Sequence, residues 1–195
     1  MTIGAAPVVG ILLAAGSATR FGGPKLMVPL ADGVPMAVAA LQSLIGAVDD
    51  VVAVARPGDE ELANALYTHG ARVTVCSNAS EGMGRSLAWG VRAAPLAAGW
   101  VIALADMPWI KATTAASVAD ALRRGSAIVA PAFAGQRGHP VGIAARFYSA
   151  LAALEGDEGA KRLVRAQAAA LELIAVNDPG ILRDVDRRSD LDPPA

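Results

Sequence analysis

The segment 13–25 has the residue types needed to bind a polyphosphate. Its sequence is LAAGSATRFGGPK, in which small residues let backbone N–H groups approach phosphate oxygens and two basic side chains add positive charge. The basic residues are Arg20 and Lys25, and the small ones, which follow Leu13, include Ala14, Ala15, Gly16 and Gly22. The spacing excludes a P-loop and a dinucleotide fingerprint. The alternative interpretation is a surface loop with two solvated cations.

Isolated aspartates provide a second chemical feature, because carboxylate oxygens are the ligands that a hard cation such as Mg²⁺ prefers. Asp106 follows the apolar run 101–105, and Asp184 and Asp186 lie in an acidic tail. A magnesium ion held by Asp106 would neutralise charge on a leaving pyrophosphate. The alternatives are a helix cap at Asp106 and a solvated tail.

Two further motifs carry polar side chains next to glycines. In the segment 78–87 (NASEGMGRSL), Gly82 and Gly84 permit a close approach. Asn78 and Ser86 can hydrogen-bond the edge of a base. A turn with Ser86 as helix N-cap is equally compatible with these residues. The string RGHPV contains Arg137 and His139, and His139 could donate to a phosphate, pair with a carboxylate or be structural.

The elements that must position these residues alternate between strand-like and helix-like patterns. This alternation predicts a parallel sheet with helices on both faces, and ligands bind such sheets at the carboxyl ends of the strands. Strands are predicted at 8–13, 51–55, 72–76, 101–105, 127–133, 141–144 and 171–176, with a hairpin or excursion at 134–140. Helices are predicted at 35–45, 58–67, 86–93, 113–124, 145–154 and 159–170.

The composition excludes several other classes of protein. The chain has 195 residues, 54% of them hydrophobic, which is long and apolar enough for one packed domain, predicted over 1–195. A net charge of −1 with scattered basic residues argues against nucleic-acid binding. No stretch predicts a membrane span or a secretory signal, and a single cysteine excludes an intramolecular disulfide, so we predict a cytoplasmic protein.

These motifs together resemble the nucleotidyltransferases that handle molybdenum cofactor, the MobA-like NTP transferase family. The segment 13–25 is similar to the family pattern L-A-[AG]-G-x-x-x-R-[FM]-G-x-x-K, and the segments 78–87, 104–108 and 184–191 follow in the family's order. The resemblance implies a single three-layer α/β/α Rossmann-like sandwich with a mostly parallel sheet, of the nucleotide-diphospho-sugar transferase type. The sequence departs from the family pattern at Arg187 and Arg188, where Thr-Pro is usual, and at Ala18, where serine is usual.

The resemblance also implies roles for particular residues. Arg20, Lys25 and Asp106 would be catalytic, Asp106 and Asp186 would bind Mg²⁺, with Asp184 as the alternative second ligand, and Arg137 and His139 would contact the acceptor. The nucleotide would be bound by Leu13, Ala14, Ala15, Gly16, Gly22, Asn78, Gly82 and Ser86.

The implied reaction transfers CMP from CTP to molybdopterin or another phosphate-bearing small molecule. CTP is favoured over GTP because RGHPV resembles the cytidylyltransferase branch and because Ala15 stands where the guanylyltransferase branch has glycine. The alternatives are a guanylyltransferase or another sugar- or alcohol-phosphate nucleotidyltransferase of this fold. A third is a non-catalytic nucleotide-binding accessory protein whose partner is a molybdenum hydroxylase.

Overall fold

The computed structural model describes residues 6–16 and 21–192. Short apolar runs rich in Val, Ile and Leu form the buried strands of one sheet, as expected for strands covered on both faces. In these described residues the strands are β1 (Val8–Leu13), β2 (Asp50–Ala55), β3 (Arg72–Val75), β4 (Gly99–Leu104), β5 (Ile128–Phe133), β6 (Gln136–Arg137), β7 (Val141–Ala144) and β8 (Leu171–Ala175).

The sheet is mixed but mostly parallel. Its strand order is β3-β2-β1-β4-β7-β5-β6, and β8 pairs with β5. β1 pairs in parallel with both β2 and β4, whereas β7 runs antiparallel between β4 and β5. The predicted parallel architecture is therefore confirmed, with β7 and the short β6 as antiparallel exceptions.

Six α-helices lie among the described residues, and they divide between the two faces of the sheet. They are α1 (Met36–Gln42), α2 (Glu60–Thr68), α3 (Met83–Arg92), α4 (Ala112–Arg123), α5 (Tyr148–Ala152) and α6 (Lys161–Ala166). Alternate residues of β1 reach opposite faces: Leu12 packs with α1, α2 and α4, and Ile11 packs with α3, α5 and α6. The predicted three-layer sandwich is confirmed.

Glycine brings α3 close to the sheet. A β-carbon at Gly90 would lie 2.7 Å from Ile11 Cγ2 and 2.8 Å from Val54 Cγ2, so any side chain here would push the helix away from β1 and β2. Because β1 and α3 both contribute to the cavity described below, this contact fixes the distance between its two walls.

Several predicted boundaries were wrong. α3 begins at Met83, three residues before Ser86, because Gly82 has φ 120° and breaks the chain direction there; Ser86 is therefore not the N-cap. The helix predicted at 159–170 ends at Ala166, because Gln167 leaves helical geometry before β8. The helix predicted at 145–154 is a 3₁₀ turn, Ala145–Phe147, followed by α5.

The segment 134–140, predicted as a hairpin or an excursion from the sheet, contains the hairpin between β5 and β6. Ala134 and Gly135 join β5 to β6 with φ values of 49° and 79°, the positive pair that a two-residue type I′ turn requires. Among residues 6–16 and 21–192, no helix has the length and apolar character needed to span a membrane.

Candidate active site

Lys25 is the centre of a charged cluster at the carboxyl end of the sheet. Its Nζ donates hydrogen bonds to Asp106 Oδ2 at 2.9 Å and to the Val185 carbonyl at 2.7 Å, and lies 3.9 Å from Asp186 Oδ1. Lys25 is only 7% exposed. We call Lys25, Asp106 and Asp186 the lysine–aspartate centre; it joins the loop after β1, the end of β4 and the tail.

The two aspartates of this centre both lie within 4 Å of the Lys25 Nζ, Asp106 Oδ2 at 2.9 Å and Asp186 Oδ1 at 3.9 Å. The Asp106 side chain is 27% exposed and that of Asp186 is 44% exposed, so both are accessible to a ligand. Within the described part of the chain, no group of three or more Asp, Glu, His or Cys side chains could hold a metal ion. A cation at the two aspartates would therefore need further oxygens from water or from a bound phosphate.

The tail keeps Asp186 in place although Arg187 and Arg188 depart from the family pattern. The Val185 N–H donates to the Asp106 carbonyl at 2.9 Å, and the Val185 side chain is fully buried. The Asp190 carboxylate accepts hydrogen bonds from the backbone N–H groups of Arg187 at 2.8 Å and Asp186 at 3.1 Å. The bond from Arg187 is the main reason that the pKa of Asp190 is lowered.

A cavity of about 380 Å³ opens beside the lysine–aspartate centre. Residues of β1, the loop after it, β4 and the start of α3 line it together with Arg56, which follows β2. The cavity therefore lies at the carboxyl edge of parallel strands. Its lining includes Leu13, Ala15, Gly16, Lys25, Leu26, Arg56, Ala79, Ser80, Gly82, Met83, Ser86, Leu104, Asp106 and Asp157. A second cavity of about 240 Å³ adjoins it and shares Gly16, Lys25, Leu26 and Arg56.

Gly82 and Gly84 permit a close approach of the protein's own backbone. The Gly84 N–H donates to the Gly156 carbonyl at 2.7 Å, and a β-carbon at Gly84 would lie 2.6 Å from the Glu155 carbonyl oxygen. A β-carbon at Gly82 would collide with the backbone of Gly156. The glycines were predicted to make room for a base, but the immediate contact they allow is with the loop 155–157.

The predicted acceptor residues line neither of the two cavities. Arg137 is exposed on β6. His139 is partly buried, and its backbone N–H donates to the Ile181 carbonyl at 3.0 Å. Burial lowers the pKa of His139, and a hydrogen bond to the backbone of Ile102 opposes that shift. The imidazole Nδ1 has no hydrogen-bond partner in the part of the chain that the structure describes.

Only some of the predicted nucleotide-binding residues line the larger cavity. Ala14 is fully buried, and among the described residues neither it, Gly22 nor Asn78 lines the cavity of about 380 Å³. Gly22 instead has φ 76°, which favours glycine for steric reasons. Leu13, Ala15, Gly16, Gly82 and Ser86 do line the cavity. Arg20 lies outside the described residues.

Two charged residues that line the cavity were not predicted from the sequence. Arg56 follows β2 and pairs with Asp59, its Nε lying 2.8 Å from Asp59 Oδ2, and it borders both cavities. The signal for Arg56 was its place at the end of a parallel strand, where ligand-binding residues gather. Asp157 lies about 70 residues after Ser86 and reaches the cavity only through the contact of loop 155–157 with α3.

Comparison with known proteins places this geometry in a known family. The family described as "MobA-like NTP transferase domain" matches residues 10–171. A protein named nicotine blue oxidoreductase, from Paenarthrobacter nicotinovorans, is 31% identical over 188 residues, covering 92% of each chain. The purine catabolism protein PucB of Bacillus subtilis (strain 168) is 30% identical over 195 residues, covering 95% of this chain and 94% of that protein.

A solved structure has the same architecture over nearly its whole length. The crystal structure of Rv0371c from Mycobacterium tuberculosis H37Rv superposes with a TM-score of 0.81 at 27% identity, covering 94% of this chain and 95% of that one. Rv0371c has also been solved in complex with manganese. The fold, the match over residues 10–171 and the two curated relatives show that this chain belongs to the MobA-like NTP transferase family.

Proposed function

We propose that this protein is a magnesium-dependent nucleotidyltransferase that transfers CMP from CTP to molybdopterin and releases pyrophosphate. The observation that carries the proposal is the lysine–aspartate centre at the edge of a cavity lined by the loop after β1. Lys25 Nζ lies 2.9 Å from Asp106 Oδ2 and 3.9 Å from Asp186 Oδ1 beside a space of about 380 Å³. We further propose that the catalytic domain extends over residues 1–195, so that the tail forms part of it.

The residues of the cavity suit a reaction in which an acceptor phosphate attacks the α-phosphorus in line. Lys25 and Arg56 would bind the phosphates, with the small residues after β1 allowing backbone N–H groups to approach them. Arg20 has the same proposed role. No protein nucleophile is needed, and Cys76 is fully buried; positioning and electrostatic stabilisation are sufficient for this kind of transfer.

The donor set of Asp106 and Asp186 fits a hard divalent cation. Both supply carboxylate oxygens, both side chains are partly exposed, and the Lys25 ammonium already compensates their charge. Magnesium held by these two aspartates would neutralise charge on the leaving pyrophosphate. The manganese complex of Rv0371c supports a divalent cation in this family. Asp184 remains the alternative second ligand.

Lys25→Ala is expected to weaken the binding of CTP. Loss of a charge-assisted hydrogen bond costs roughly 1.5–3 kcal/mol, so the dissociation constant should rise by about 10-fold to 150-fold. Titration calorimetry in the presence of Mg²⁺ measures this change. Lys111→Ala is the matched control, because the Lys111 Nζ donates to the Asn177 carbonyl on the exposed surface. Equal affinities in the two variants would remove Lys25 from phosphate binding.

The choice of CTP rests on the cavity wall at Ala15. This residue is 8% exposed and its methyl group narrows the cavity, which penalises a purine more than a pyrimidine. The Arg137-Gly138-His139 string supports the same choice through its resemblance to the cytidylyltransferase branch.

Ala15→Gly is expected to reduce the preference for CTP over GTP. One methyl group in a pocket is worth about 1–3 kcal/mol of discrimination, so a single substitution should blunt the preference without reversing it. Competition of GTP against labelled CTP measures the ratio in both proteins. A wild-type protein that prefers GTP would overturn the cytidylyl assignment and leave a guanylyltransferase as the function.

The acceptor and the catalytic activity are tested together by pyrophosphate release. All four triphosphates are incubated with Mg²⁺, with and without molybdopterin, and we expect release only with CTP and molybdopterin. Release with a sugar or alcohol phosphate would instead identify another nucleotidyltransferase of this fold. Binding of CTP without any release would favour the accessory role beside a molybdenum hydroxylase. The name of the relative from P. nicotinovorans adds one further measurement, turnover of nicotine blue, for which we expect none.

A further inference from the structure

Asp157 places a carboxylate in the cavity wall without a protein partner. It lines the space of about 380 Å³, and within the described residues it forms no hydrogen bond or ion pair. Its neighbour Glu155 differs, because the Glu155 Oε1 lies 3.0 Å from a terminal nitrogen of Arg85. An exposed carboxylate that faces a binding cavity while its neighbour is paired is available to a ligand.

The position of Asp157 is fixed by the loop that carries it. The Gly84 N–H donates to the Gly156 carbonyl at 2.7 Å, and the Arg85–Glu155 ion pair holds the same loop on α3. Asp157 Oδ1 lies 2.5 Å from the position that a β-carbon at Gly82 would take. The carboxylate therefore lies directly over Gly82, the residue before α3.

The positions of the charged side chains around the cavity indicate which part of a bound nucleotide Asp157 can contact. Lys25 and Arg56 border both cavities, and their positive charges attract phosphate. The phosphates of a bound nucleotide are therefore expected where the two cavities join. Asp157, Gly82 and Met83 line only the larger one, and a carboxylate would repel phosphate. A carboxylate in this part of the wall suits a hydrogen-bond donor at the nucleoside end of the nucleotide.

We propose that Asp157 selects the base by accepting a hydrogen bond from an exocyclic amino group, and so distinguishes CTP from UTP. This inference rests on the proposed function, since it assigns a contact to the nucleotide that the enzyme would use. Cytosine presents an amino group at C4, whereas uracil presents a carbonyl oxygen, which the carboxylate would repel. The base contact thus comes from a loop far along the chain from the segment 78–87.

The test is the ratio of CTP and UTP affinities in wild-type protein and in Asp157→Asn, measured by calorimetry with Mg²⁺. An asparagine amide can donate to the uracil carbonyl as well as accept from the cytosine amine. We expect the preference for CTP over UTP to fall by about tenfold or more, the effect of one charge-assisted hydrogen bond. Glu158→Gln is the matched control: it removes the same charge from the same exposed loop outside the cavity lining, and its ratio should equal that of the wild type.

The outcomes separate this inference from the proposed function. Wild-type protein that binds triphosphates with a ratio unaltered by Asp157→Asn would overturn the role of Asp157 and leave the nucleotidyltransferase proposal standing. Equal losses for CTP and UTP, with no loss for 2′-deoxy-CTP, would reassign the carboxylate to the ribose and also overturn it. Wild-type protein that binds no triphosphate at all would contradict both proposals.

Discussion

Asp106→Asn is expected to lower turnover by roughly 10²–10³-fold, the loss typical when a group that stabilises transition-state charge is removed. Asparagine has nearly the same size and can still accept the hydrogen bond from Lys25, which is 2.9 Å long in the structure. The Asp106 carbonyl, which accepts from the Val185 N–H, is unchanged. The variant should therefore fold normally and lose charge only where a metal would bind. Steady-state rates of pyrophosphate release measure the effect.

Asp120→Asn is the control for this prediction. Asp120 lies on the exposed side of α4 and pairs with Arg123 at 2.9 Å, so the substitution removes the same charge from the surface. Its rate should match the wild type. If Asp106→Asn retained full activity with an unchanged melting temperature, Asp106 would have no part in the mechanism and the lysine–aspartate centre would be structural.

Asp178→Ala is expected to destabilise the fold by roughly 3 kcal/mol or more, because it leaves several buried donors without an acceptor. Asp178 is 1% exposed, and its carboxylate accepts from the Lys111 N–H at 2.9 Å, the Thr114 hydroxyl at 2.6 Å and the Gly180 N–H at 3.1 Å. The bonds from Lys111 and Thr114 join the tail to the start of α4, and the bond from Gly180 lies within the tail. A melting temperature lower by about 10 °C would be the measured result.

The consequence for the site should be measured in the same variant. Asp178 anchors the tail eight residues before Asp186, so its loss should also weaken CTP binding below the melting transition. Asp192→Ala is the comparison, since Asp192 is an exposed residue of the same tail. An Asp178→Ala protein as stable as Asp192→Ala would show that the buried carboxylate does not hold the tail.

Local sequence patterns predicted the strands of the sheet and the residue that follows β4 well. The bounds of β1 and β7 are those expected from their apolar runs. Asp106 follows the end of β4 as predicted, because a charged side chain is costly inside a strand that is buried on both faces. The tail was harder to predict. Its two arginines replace the usual Thr-Pro, and only the structure shows Asp190 accepting the N–H groups that shape the turn around Asp186.

Local sequence patterns did not predict the contacts between distant segments of the chain. Lys25 was predicted to bind phosphates. In the structure its ammonium group donates hydrogen bonds to Asp106 and to the Val185 carbonyl, which are 81 and 160 residues away in the sequence. Gly82 and Gly84 were recognised as sites of close approach, but the partner proved to be the loop 155–157. Spacing along one segment indicates that a glycine is needed and does not identify what lies beside it.

The bond between Lys25 and the Val185 carbonyl also bears on the order in which the protein acquires activity. It spans 160 residues, so forming it closes almost the whole chain into one loop. Long-range contacts of this kind form late, because their entropic cost must be met before they contribute stability. A chain still emerging from the ribosome could assemble β1, β2 and β3 with their helices long before residue 185 exists. Chains that end before the tail would therefore lack Asp186 and the Val185 carbonyl, and could fold in part without completing the lysine–aspartate centre.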